Sequence, residues 1–279
     1  MMIFSREFNP FSIPFLKKFL KENGIFLSKN RGQNFLIDKN IAIKILENVK
    51  QDSIVLEVGS GFGALTFFLS EKAKKLYALE IDGKIYNILK KIFGEDQKVC
   101  LLNEDFLKFK MEKLPEEKIF FVSNLPYSIS GEAIRRFIEE KRFEAGIVML
   151  QKDFVERMLS LPGEKGYGVL SILSHFYLNV EKLFSVSRNC FFPTPSVDSI
   201  VVKLTKKDCD LPHKSFADFL KKVFSRRRKI LSNSLKELSF SREDILNCKV
   251  DLKIRPENLE LESWAILFEY YQSHKSPGQ

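Results

Sequence analysis

Cysteine and histidine are scarce in this chain: four and three among 279 residues. Cys100, Cys190, Cys209 and Cys248 stand far apart with no C-x-x-C pair, so a disulfide framework is not expected and free thiols in a reducing cytosol are. His175, His213 and His274 are equally dispersed, which leaves no metal site and no histidine-based triad to argue from. Long apolar runs are missing too; none approaches the roughly 18 residues of a membrane span. Arg6 and Glu7 interrupt the start before any long apolar stretch, against a secretion leader. No internal repeat or low-complexity tract is present. The expectation is a cytoplasmic chain, off the membrane and without metal.

What is present describes a folded protein. Hydrophobic residues make up 44% and charged residues 29%, enough for one large or two small domains. The 27 phenylalanines read mostly as core filler. A net charge of +9 favours a polyanionic partner, because basic side chains on phosphates release counterions. A lysine-rich solvated surface would give the same sum, so clustering has to separate the two. Lys221, Lys222, Arg226, Arg227, Arg228 and Lys229 fall within nine positions with no acid among them. Helical periodicity would put Lys222, Arg226 and Lys229 on one face, a candidate nucleic-acid surface.

Residues 1–31 read as an appendage. In it Ser12 could cap a short helix with Pro14 in the first turn and Gly24 as terminator. From about residue 52 strands alternate with helices: strands at Ile54–Val58, Leu76–Glu80, Val99–Leu102, Ile119–Val122 and Gly146–Leu150, helices after the first two and near Ser130. Near-continuous apolar strands separated by helices predict an α/β fold with a parallel sheet covered on both faces. Tyr177–Val186 and Ser199–Leu204 read as an antiparallel pair at one edge. Lys206–Pro212 is a polar linker, and residues 213–274 read as helical. The predicted division is a sheet domain over 32–207 and a helical domain over 208–279.

The chemistry-bearing residues gather at strand ends. Glu57-Val58-Gly59-Ser60-Gly61-Phe62-Gly63 follows the first strand, and its glycines allow a sharp turn and close approach to a ligand. Tight strand–helix turns need glycine anyway, so the loop alone is weak. Glu80, 21 residues after Gly59, could accept from both hydroxyls of a ribose, with Asp82 as rival. Asp105, at the end of the third strand in Asn103-Glu104-Asp105-Phe106, could accept from an adenine amino group. Asn124-Leu125-Pro126-Tyr127 closes the fourth strand with an amide, a stiff turn and an aromatic plate. An ordinary Asn-x-Pro turn would look the same in isolation. Beside the other strand ends, the tetrapeptide suits holding an exocyclic amine: the Asn124 oxygen and Leu125 carbonyl accept its N–H bonds while Tyr127 stacks on the ring.

Taken together these residues resemble the ribosomal RNA adenine N6-dimethyltransferases, over residues 29 to about 271. Lys29–Leu36 resembles the family's first motif, Glu57–Gly63 its donor loop, Asn124–Ser130 its catalytic motif and Phe191–Ser199 its second signature. The resemblance implies a Rossmann-like class I methyltransferase sheet with a small all-α C-terminal domain. It implies S-adenosyl-L-methionine held by Asn34, Leu36, Gly59, Gly61, Glu80, Asp105, Phe106 and Asn124. Asn124, Leu125, Pro126 and Tyr127 would be catalytic, with Phe191 over the other face of the target base. The implied substrate is a pair of adjacent adenosines near the 3′ end of small-subunit ribosomal RNA, met on the subunit or an assembly intermediate, by a monomer. Lys221 to Lys229 would grip phosphates. Gly166–Gly168 and Arg227-Arg228-Lys229 through Asn233-Ser234-Leu235 favour this type over the large-subunit, antibiotic-resistance type. A non-catalytic RNA-binding assembly factor would not need Glu80, Asp105 and Asn124 together. Two departures are the long appendage and Ser60 and Phe62 in the first loop.

Overall fold

The computed structural model describes residues 8–27, 33–236, 238, 240, 243 and 250–273. Lys29–Gly32 of the first motif, Cys248 and His274 lie outside them, as does part of the C-terminal stretch expected to be helical.

Helix α1 (Ile13–Glu22) starts where Ser12 predicts: its Oγ accepts from the Phe15 N–H, with Pro14 in the first turn. The two-residue strand β1 (Phe35–Leu36) and helix α2 (Lys39–Glu47), capped by Asp38, lead to β2 (Ile54–Val58), buried at all five positions. The alternation continues through α3 (Thr66–Lys72), β3 (Lys75–Leu79), α4 (Gly83–Phe93), β4 (Val99–Leu102), β5 (Ile119–Asn124), α5 (Ser130–Glu139) and β6 (Phe143–Gln151). Then come α6 (Lys152–Leu159), α7 (Val169–Tyr177), β7 (Leu178–Val186), β8 (Phe191–Phe192) and β9 (Ser199–Lys206). The C-terminal helices are α8 (His213–Phe224), α9 (Leu231–Lys236) and, numbering only described helices, α10 (Leu261–Ser273).

Seven strands form one sheet in the order β4-β3-β2-β5-β6-β9-β7. The five from β4 to β6 run parallel, and β9 is antiparallel to β6. The mostly apolar, buried central strands need cover on both faces, and the intervening helices supply it. The order reverses at β2, between β3 and β5, which opens a crevice at the carboxyl ends of those strands. Among the described residues no helix is long and apolar enough to cross a membrane.

The chain divides into two compact units: residues up to Lys152 with Val180–Lys206, and Asp153–Asn179 with residues from Lys207 onward. The segment 153–179, expected in the sheet domain, therefore groups with the C-terminal helices. Side-chain bonds explain it. Tyr167 is buried and its hydroxyl donates to Leu259 O at 2.8 Å, while Trp264 Nε1 donates to that hydroxyl at 3.0 Å. Phe176 packs edge-on against Phe216. Gly166 has no room for a side chain, since a Cβ would stand 2.3 Å from Ser160 Oγ.

Candidate active site

The glycine loop leaves β2 under strict geometric demands. Gly59 and Gly61 hold φ of +75° and +53°, the left-handed region that favours glycine. The Gly59 and Ser60 N–H groups both donate to Leu79 O, which ties the loop to the end of β3. A Cβ on Gly61 would stand 2.8 Å from the Phe35 ring, so β1 lies directly on the loop.

Glu80 follows β3 and is buried, with one carboxylate oxygen accepting from Gly61 N and the other from Asp82 N, each at 2.8 Å. Burial raises its pKa. Asp82 is committed elsewhere: its Oδ1 caps α4 by accepting from Lys84 and Ile85 N–H. Of the two rivals, then, Glu80 lines the crevice and Asp82 serves the helix. Asp105, past β4, braces its own turn by accepting from Leu107 N at 2.9 Å.

Two adjoining hollows open at this edge. One is lined by Asn34, Leu36, Gly59, Gly61 and Glu80 and by Asn124 to Tyr127; the other includes Asp105 and Phe106. Gly59, Ile81 and Pro126 belong to both. Every residue expected around the donor therefore lines one of two contiguous spaces. Asn124 ends β5, and its Nδ2 donates to Asn34 O at 3.0 Å. That bond fixes the amide's orientation and leaves Oδ1 as its acceptor face. Leu125 is buried and anchored by its N–H to Met149 O; Tyr127 is half-buried with its hydroxyl 3.0 Å from Ser199 Oγ.

Two expected groups sit differently. The Phe191 ring is 2% exposed within the main core cluster and lines neither hollow. Its backbone is nonetheless at the site, because β8 pairs with β1 through Leu36↔Phe191 and Phe35↔Phe192. The basic run does not continue one helix. Helix α8 stops at Phe224, and residues 225–228 form turns held by i→i+3 bonds such as Lys229 N to Arg226 O. Lys222, Arg226 and Lys229 thus share no helical face. All six basic residues are exposed; Arg227 is paired with Glu257 at 2.5 Å and donates to Lys165 O, and Lys221 is paired with Asp218 at 3.5 Å.

Glu57, part of the donor-loop motif but not among the residues expected to hold the donor, also lines the first hollow. It accepts from Thr66 Oγ1 at 2.7 Å, and burial pushes its pKa up to about 7. The available signal was a lone acid in an otherwise apolar strand. Ile81 was missed too, an apolar side chain 53% exposed at the mouth of both hollows.

Residues 27–273 match the family model described as ribosomal RNA adenine dimethylase. The chain belongs to that family. The dimethylase match agrees with single proteins: it is 40% identical over 256 residues to a Thermotoga petrophila protein named ribosomal RNA small subunit methyltransferase A, covering 91% of this chain and 94% of that one. A Malacoplasma penetrans protein of the same name is 36% identical over 262 residues, with 91% and 95% covered. Among solved structures, a dimethyladenosine transferase from Plasmodium falciparum superposes with a TM-score of 0.70 at 27% identity, covering 85% of this chain and 96% of that one. A 23S rRNA methyltransferase superposes at 0.63 and 24% identity, a likeness of fold alone. The large-subunit alternative is not favoured. As a dimethylase the chain has the Rossmann-like sheet of its structural relative.

Proposed function

We propose that this chain transfers methyl groups from S-adenosyl-L-methionine to N6 of two adjacent adenosines near the 3′ end of small-subunit ribosomal RNA. It does so in the cytoplasm, as a monomer acting on the subunit or an assembly intermediate. The observation that carries the reading is the Asn124 amide: one of its N–H groups donates to Asn34 O, which orients the amide at the carboxyl edge beside a glycine-loop hollow with its oxygen as acceptor.

The residues present suit the donor. Glu80 is buried with lone pairs left for ribose hydroxyls, Asp105 suits an adenine amino group, and the loop backbone permits close approach. Asn34 and Leu36 would wall its remaining side. When bound, S-adenosyl-L-methionine supplies a methyl already activated by its sulfonium, so the protein's task is positioning. The Asn124 oxygen and the Leu125 carbonyl would accept the two N6 hydrogens and aim the nitrogen lone pair. Stiff Pro126 keeps that carbonyl in place. Everting an adenosine costs a few kcal/mol, and stacking on Tyr127 returns about 1–3 kcal/mol. Phe191 joins the stack only if its buried ring turns out from the core. No strong base is needed, since the proton leaves a nitrogen already made cationic. Lys221, Lys222, Arg226, Arg228 and Lys229 suit phosphate contacts that set register, with Arg227 braced by Glu257 and Lys221 beside Asp218.

Asn124→Ala tests the reading. Calorimetry should find donor binding retained, weakened no further than loss of the Asn124–Asn34 bond loosens that wall, and a tritiated-methyl assay on unmethylated small subunits at saturating donor should find transfer abolished. Full activity in the variant would overturn the role given to Asn124.

A further inference from the structure

The family match begins at residue 27, yet α1 lies before it and is built into the sheet domain. Leu16 is fully buried, and Leu20 and Ile25 nearly so. They share one apolar cluster with Phe35, Phe62 and the buried face of α4. Phe35 and Phe62 also line the donor hollow, with ring centroids 4.5 Å apart. Phe19 of α1 meets Phe62 edge-on at 6.2 Å and is itself stacked on Phe15 at 5.5 Å.

The far end of the helix is fastened as well. Gly24, at φ +57°, turns the chain so that Ile25 N donates to Leu20 O, and Lys84 Nζ donates to Gly24 O at 2.6 Å. The Lys17 ammonium lies 5.9 Å from the ring centre of Phe192, the β8 partner of Phe35. The wall has little slack. Phe35 sits so close over Gly61 that a tilt of the Phe35–Phe62 pair must disturb either the loop or β1.

We propose that α1 is a positioning element of the donor site: by clamping Phe62 and Phe35 it holds the glycine loop and the Asn34–Leu36 segment in the binding arrangement, and so sets donor affinity without touching the donor. The inference rests on reading the hollow as the donor site. Without the clamp only a fraction of molecules present a formed wall, and apparent affinity falls by that fraction. A donor that binds at saturation restores the wall, so the transfer step keeps its rate.

The test compares Leu16→Ala and Phe19→Ala with Phe137→Leu. Phe137 is fully buried against Phe143, lines neither hollow, and stands for a general loss of packing in the same unit. Calorimetry with S-adenosylmethionine and with S-adenosylhomocysteine is run beside thermal unfolding and single-turnover methylation at saturating donor. Both α1 variants should bind both compounds roughly tenfold more weakly, as when the formed wall falls to about a tenth of molecules. Their single-turnover rate should stay within about twofold of the wild type. Phe137→Leu, with a comparable drop in Tm, should bind like the wild type. Wild-type affinity in both α1 variants, or equal weakening in Phe137→Leu, overturns the proposal alone. A wild-type chain that binds neither compound overturns the donor-site reading, and this inference with it.

Discussion

Replacing Glu57 by glutamine gives the sharpest test of the site's electrostatics. The carboxyl is 1% exposed, and burial moves its pKa from the ordinary 4.5 to about 7, against the opposing effect of its Thr66 hydrogen bond. In that window the folded chain holds a proton that the unfolded chain has released. The native state then binds more protons, so stability falls as pH rises. Glu57's contribution is complete below the unfolded pKa of 4.5 and is lost as pH climbs through about 7. At about 1.4 kcal/mol per pH unit across the gap, the charged form costs on the order of 3 kcal/mol. Glutamine carries no charge at any of these values, and its amide oxygen can still accept from Thr66. Glu57→Gln should therefore match the wild type within about 1 kcal/mol near pH 5 and exceed it by about 2–3 kcal/mol near pH 8.5. Urea unfolding of both chains across that range measures the difference, in which titrating groups that do not interact with Glu57 cancel; the one carboxylate that does is Glu80, whose charge also raises the Glu57 pKa. In Tm the gain is roughly 5–10 °C for a unit of this size. A difference that stays constant with pH, or a wild type that gains on the variant as pH rises, would refute the reasoning.

Two further outcomes follow from geometry already described. Gly61→Ala puts a Cβ at positive φ and 2.8 Å from Phe35, so urea unfolding should show a loss of about 1–2 kcal/mol and calorimetry weaker donor binding. Unchanged values in both would mean that the loop and β1 are less tightly joined than the distance implies. Lys222→Ala with Lys229→Ala should leave donor affinity alone but weaken RNA binding and flatten its dependence on log salt by about one for each phosphate no longer neutralised. A salt slope equal to that of the wild type would remove these two lysines from the RNA surface.

The central sheet was legible because its signals are local. Ile54–Val58, apolar but for Glu57, and the apolar Ile119–Val122 are runs of strand length bounded by turn residues, and each became a strand of the parallel sheet. Ser12 and Pro14 marked the start of α1 by capping chemistry alone. What escaped depends on contacts distant in sequence. Two residues cannot announce a strand, so the pairing of Phe35–Leu36 with Phe191–Phe192 left no pattern to read. The grouping of residues 153–179 with the C-terminal helices turns on Tyr167 reaching Leu259 and Trp264, about a hundred positions away. Periodicity failed at residues 221–229 because charge spacing says nothing about where a helix ends, and α8 stops at Phe224. Around the hollows, the placing of Glu80, Asp105 and Asn124 was readable from their strand-end positions, while Glu57 was not singled out. The choice between Glu80 and Asp82 needed coordinates, since either carboxylate can cap a helix or face a ligand.

The ribbon joining β1 to β8 also bears on how the protein is made. Its two halves are separated by some 150 residues, so during synthesis the early half must wait until residue 192 has left the ribosome. A nascent chain arrested before that point already contains the glycine loop and Asn124 but lacks the partner that fixes β1. Completion of this wall of the hollow is therefore a late event in synthesis, reached after about two-thirds of the polypeptide has emerged.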